Sequence, residues 1–125
     1  MSEKICHFRE LRVYKLAKEI AFEIFELTKE CPPTEKYLLI DQIRRASRSV
    51  CTNIAEAWRK RRYPAAFIAK LNDSEGECSE TQVELEFSLD YKYIDESTFK
   101  RLDEKCDRVT AMLVQMSNQP EKWSY

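Results

Sequence analysis

Apolar residues recur along this chain at alternating spacings of four and three, the interval that places side chains on one face of an α-helix. From Phe8 to Glu30 the stripe is Val13, Ala17, Ile20, Ile24 and Leu27, with Tyr14, Ala21 and Phe25 alongside. Cys31-Pro32-Pro33-Thr34 interrupts it, because proline donates no backbone hydrogen bond and disfavours helix in the residue before it. Thr34 is the predicted cap of the helix that follows. A second stripe, Leu39, Ile43, Ala46, Val50, Asn53 or Ile54, and Ala57, runs to about Arg61, where Tyr63-Pro64 supplies the next break. The third stripe, between Pro64 and about Lys92, is the most regular: Phe67, Leu71, Ser74, Cys78, Thr81, Leu85 and Ser88. Small residues fill its middle, and together with Gly76 they predict a close approach of neighbouring backbone there. The fourth segment follows Tyr93-Ile94-Asp95, with Asp95 or Ser97 as cap, and carries Phe99, Leu102, Cys106, Val109, Leu113 and Met116 until Pro120.

Four helices joined by short links pack as an antiparallel up-down-up-down bundle. The predicted fold is therefore all-α, with residues 1–125 forming a single domain. One Gly and four Pro leave too little turn chemistry for a sheet protein, and a 43% hydrophobic share is enough for one continuous core. Around the Tyr63-Pro64 hairpin the second helix runs against the third. That register sets Glu56 level with Lys70, and Arg48 level with Glu77 or Glu80.

Composition narrows the function classes. The single histidine, His7, precedes the first helix, so the Glu-x-x-His pairs of a di-iron bundle are missing, and Ser47, Ser49 and Cys51 have no imidazole base to activate them. The five cysteines, at 6, 31, 51, 78 and 106, are odd in number and never spaced C-x-x-C, which indicates reduced thiols rather than disulfides or zinc. The chain is read as no enzyme, with no cofactor and no metal. No apolar run approaches the ~20 residues that span a bilayer, and the start does not resemble a signal peptide; a cytoplasmic protein without a membrane partner is expected.

Charge adds the sharpest pattern. Residues 42–62 hold Arg44, Arg45, Arg48, Arg59, Lys60, Arg61 and Arg62 against Glu56, whereas 73–90 hold Asp73, Glu75, Glu77, Glu80, Glu84, Glu86 and Asp90 with no base. Each patch complements the other. Arg44, Arg45 and Arg48 are accordingly expected to pair with Glu77, Glu80 and Glu84, within the chain or across an oligomer interface. The alternative is that the arginines grip phosphate. Arg59-Lys60-Arg61-Arg62 ends the second helix, where cations complement the helix dipole; beside Trp58 and Tyr63 it also has the makings of a phosphate-and-stacking site for RNA or DNA. Asn53 and Glu56 are polar groups near a helix seam, expected to lock the register through hydrogen bonds, with Lys70 as partner of Glu56.

The run from Gln42-Ile43-Arg44-Arg45-Ala46 to Asn53-Ile54-Ala55-Glu56, the Ser74-Glu75-Gly76-Glu77 and Glu84-Leu85-Glu86 stretches, and the opening Phe8-x-x-Leu11-x-Val13-Tyr14-x-x-Ala17 resemble the bacterial 23S rRNA intervening-sequence proteins. The resemblance covers nearly the whole chain. It implies a small four-helix bundle that assembles as a homopentameric ring without known catalysis. The chain is accordingly read as an interaction or scaffold protein, with copies of itself and another protein as the expected partners. A related branch, the accessory proteins of diversity-generating retroelements, implies the alternative: a nucleic-acid-binding factor that uses a basic rim of the oligomer.

Overall fold

The computed structural model describes residues 4–124. Helix accounts for 83% of the described residues, and no strand occurs among them. Four long helices, α1 (Arg12–Thr28), α2 (Asp41–Arg59), α3 (Pro64–Asp90) and α4 (Glu96–Asn118), form the predicted antiparallel bundle. α2 packs most closely on α3 and α3 on α4, while α1 lies in the groove between α2 and α4. Among the described residues no helix is long and apolar enough to cross a membrane.

The predicted stripes become the core. All seven α3 positions from Phe67 to Ser88 are buried, and they meet Val13, Ala17, Ile20 and Ile24 of α1, Ile43, Val50, Ile54 and Ala57 of α2, and Leu102, Cys106, Val109 and Leu113 of α4. Of the pair Asn53 and Ile54, the isoleucine takes the core position. The small residues of α3 bring backbones close. Ser74 Oγ donates to the Val50 carbonyl at 2.9 Å, and Cys78 Sγ lies 3.3 Å from the Cys106 carbonyl, so each satisfies its polar atom on a neighbouring helix. Gly76 does not share this role. It is exposed, and a Cβ built on it meets nothing within 4 Å, so the expected close contact at Gly76 is absent within the chain.

Helix ends depart from the predicted ones for local reasons. The first helical segment is divided: a 3₁₀ turn at Phe8–Glu10 is closed by a capping box, with His7 accepting from the Arg9 backbone N–H and Glu10 accepting from the His7 backbone N–H. Leu11 is then extended, which turns its side chain into the core before α1 begins. Thr34 caps nothing, because it lies inside a second 3₁₀ turn, Pro33–Glu35; a wide π turn over Lys36–Ile40 runs from there straight into α2. Pro64 occupies the first turn of α3, where its missing N–H is harmless. Asp95 is the cap of α4, accepting the Thr98 N–H at 2.7 Å.

Candidate functional site

The arginines of α2 have three different surroundings. Arg44 reaches back to the end of α1: its Nε donates to Thr28 Oγ1 at 2.7 Å, its Nη2 to the Phe25 carbonyl at 3.3 Å, and its guanidinium lies 4.5 Å from the centre of the Phe25 ring. A cation placed on the last carbonyls of a helix satisfies acceptors that have no intrahelical donor and complements the dipole. Arg45 is the residue that pairs with α3, donating to Glu80 Oε2 at 2.6 Å, with Glu77 Oε2 3.8 Å away. Arg48, placed by the register level with Glu77 or Glu80, makes no ion pair among the described residues; Arg45 stands nearer in the hairpin and takes Glu80. Glu84 pairs with no arginine among the described residues. It is half-buried, and burial together with the neighbouring Glu80 and Glu35 charges pushes its carboxyl above the usual carboxylate range.

The other register contact forms as expected. Lys70 Nζ lies 2.7 Å from Glu56 Oε2, and that hydrogen bond raises the lysine pKa. Asn53 is half-buried but makes no side-chain hydrogen bond among the described residues, so the lock rests on Glu56 alone. At the end of α2, Arg61 folds over Trp58, 3.6 Å from the ring centre, and donates to the Trp58 carbonyl at 2.8 Å. Trp58 also meets Trp123 edge-on. One face of the tryptophan is therefore covered by its own chain's Arg61. Arg59, Lys60 and Arg62 are exposed, with Tyr63 exposed beside them.

Among the described residues these surfaces carry charge and apolar side chains, and the candidate nucleophiles lie apart from His7 in the chain. Cys51 Sγ approaches only the Ser47 carbonyl, and burial lifts its thiol to about 11. His7 serves the capping box. Among the described residues no three His, Cys, Asp or Glu side chains are placed to hold a metal ion.

The sequence model of the 23S rRNA-intervening sequence protein family matches residues 9–115, which span all of α1, α2 and α3 and most of α4. This chain belongs to that family. The fold agrees: a crystal structure of a protein of unknown function from the S23 ribosomal protein family of Bacteroides thetaiotaomicron superposes with a TM-score of 0.76 at 27% identity, covering 85% of this chain and 95% of that one. No curated protein matches the chain.

Two features of this intervening-sequence family member escape a reading of its sequence. The first is a charged seam between α1 and α4, where Glu23 bonds both Arg101 and Lys105, and Lys105 Nζ also lies 3.2 Å from Glu19. Burial alone would raise the Glu23 carboxyl, but the hydrogen bonds from Lys105 and Arg101 hold it below the usual value. The i,i+4 spacing of Glu19 with Glu23 and of Arg101 with Lys105 was available in the sequence as a signal, once α1 and α4 are set antiparallel. The second is a groove of about 670 Å³ where the end of α3 faces the turn before α2, lined by Glu35, Leu38, Glu84, Phe87, Tyr91 and Tyr93. Its residues come from both sides of the bundle end, and no single stretch of sequence displays them together.

Proposed function

We propose that this protein is a noncatalytic interaction protein that assembles with itself into a ring, five copies by the family resemblance. The observation that carries the reading is an exposed aromatic and basic face. Phe22 and Phe25 stand 65% and 45% exposed on α1, and on the register set by the Arg44–Phe25 contact, the unpaired Arg48 is level with Phe22. Large exposed apolar side chains beside an unpartnered charge favour a protein contact. The complement on the next copy is the α3 face at Glu77 and Glu80, where Arg45 brings one positive charge to two carboxylates and leaves the face net negative. A basic face meeting a different, acidic face is a heterologous contact, which closes into a ring when the rotation permits. Arg44 and Arg45 support this contact from within their own chain, and Glu84 follows Glu80 one turn further along α3. Replacing Phe22 with Ser and Arg48 with Glu together is expected to reduce the sedimenting species to the 14.9 kDa chain at micromolar concentration. An undiminished mass would overturn the assignment of this face.

A second reading follows from the exposed Arg59, Lys60 and Tyr63 at the α2–α3 turn. Repeated around a ring, this turn would present a basic rim to single-stranded RNA or DNA and gain through avidity. Weak, salt-sensitive binding that disappears when Arg59, Lys60, Arg61 and Arg62 become Ala, with the oligomer intact, is the expected result. An intact oligomer that binds no single strand at low salt would remove this reading.

A further inference from the structure

We propose that the groove between the end of α3 and the Glu35–Leu38 turn is a docking site for a segment of a partner protein that presents an arginine flanked by large apolar residues. The groove combines two kinds of surface that a single ligand chemistry must match. Its apolar part is aromatic and open to solvent: Leu38 is 69%, Tyr91 54% and Phe87 43% exposed. The rings of Phe87 and Tyr91 lie 5.8 Å apart and tilted, and Tyr93 meets Tyr91 edge-on at 5.9 Å. Its charged part is acidic. Glu35 and Glu84 line the same space together with the amide of Gln42, and no Lys or Arg is among the lining residues.

The two acids are not equivalent. Tyr93 donates its hydroxyl to Glu35 Oε2 at 2.7 Å, and this bond, with burial and the Glu35 charge, pushes the phenol up to about 12 and keeps it a donor. Glu35 is thereby held in place. Glu84 has no hydrogen-bond partner for its carboxylate among the described residues, and the charges that act on it are the like charges of Glu80 and Glu35. Two cations of the α2 side are engaged elsewhere: Arg45 is bonded to Glu80, and Lys36 lies over the Tyr37 ring. A half-buried carboxylate in this setting is relieved by an incoming cation.

Arginine fits better than lysine, because its planar guanidinium bonds a carboxylate with two donors while stacking on an aromatic face. The groove is open to solvent, so an extended segment can reach it from outside the bundle. Nucleic acid and anionic membrane are excluded as occupants by the sign of the groove. This chain's own basic turn is a poor occupant, since Arg61 is folded onto Trp58. The groove borders the Glu77 and Glu80 face, since Arg45 bonds both Glu80 and the groove residue Gln42, so the test follows peptide binding and oligomer mass separately.

The test uses the full chain and a fluorescein-labelled peptide with an Arg-Leu-Arg-Trp core between Gly-Ser spacers, followed by fluorescence anisotropy. Saturable binding is expected, weakened about ten-fold or more when citrulline replaces each arginine, and by a similar factor in Glu84→Gln and Phe87→Ala. Glu86→Gln, which removes the same charge from an exposed position of α3 outside the groove, should leave the affinity unchanged. Sedimentation of each variant should match the wild type. Absence of saturable binding overturns the proposal, and so does equal weakening by Glu84→Gln and Glu86→Gln, which would mean diffuse charge attraction. Unchanged peptide affinity in Glu84→Gln and Phe87→Ala together with a reduced oligomer mass would assign the groove to a second copy and also overturn it.

Discussion

Replacing Gly76 with Ala should stabilise the protein. Gly76 sits in the interior of α3 with no positive φ, so it needs none of the conformational freedom that glycine supplies. A helix-interior glycine costs about 0.5–1 kcal/mol relative to alanine, through the backbone entropy lost on folding. The added methyl meets nothing within 4 Å, so no steric penalty offsets that gain. The expected increase is therefore about 0.5–1 kcal/mol, a rise of roughly 2–4 °C in the thermal midpoint for a domain of this size. The reciprocal change, Ala69→Gly at another exposed α3 position, should cost a similar amount and isolates the propensity effect. Both are read by circular dichroism melts at one fixed protein concentration, since the proposed self-association would make the midpoint concentration-dependent. A lower midpoint for Gly76→Ala would refute the reasoning. The space above Gly76 would then be filled in solution by another molecule, and the close contact its sequence setting predicts would lie between copies.

Arg44→Ala should cost about 1–3 kcal/mol in urea unfolding, since it leaves the end of α1 without its charged donor and removes the cation–π contact, whereas Arg48→Ala should change the stability of the single chain by less than about 0.5 kcal/mol. Glu23 binds its proton less readily folded than unfolded, so the stability it confers is present above its ordinary pKa of 4.5 and is lost as pH falls through the depressed folded value. Glu23→Gln should therefore lower stability at neutral pH by roughly 1 kcal/mol or less and flatten the acid limb of the stability curve; an unchanged acid limb would contradict the seam's role. With a thiol reagent at pH 8, Cys6 should react first, Cys31 and Cys51 slowly because burial raises both thiols, and Cys78 and Cys106 only on unfolding, as mass spectrometry of the labelled peptides would show.

The core was legible in the sequence because the helical period alone decides which side chains turn inward. Every α3 position in the stripe is buried, and the hairpin at Tyr63-Pro64 was enough to pair Glu56 with Lys70. Charge partners beyond that pair were not. Whether Arg45 or Arg48 reaches Glu80 depends on rotation of one helix about its axis by a fraction of a turn, which periodicity does not specify. Arg44 was grouped with the other arginines by its spacing, yet the break at Pro32-Pro33 leaves the α1 carbonyls open just where Arg44 lies. Thr34 failed as a cap because two prolines impose a 3₁₀ turn before the helix can start. The groove at the end of α3 needs a turn before α2, the last helical turn of α3 and Tyr93 brought together from positions more than forty residues apart. Only the closed bundle assembles them.

The central claim is that this chain works as an assembly, and native mass spectrometry of the wild-type protein at low micromolar concentration tests it most directly. The account predicts one dominant species with a mass about five times the 14.9 kDa of the chain. A spectrum dominated by the 14.9 kDa monomer would contradict it.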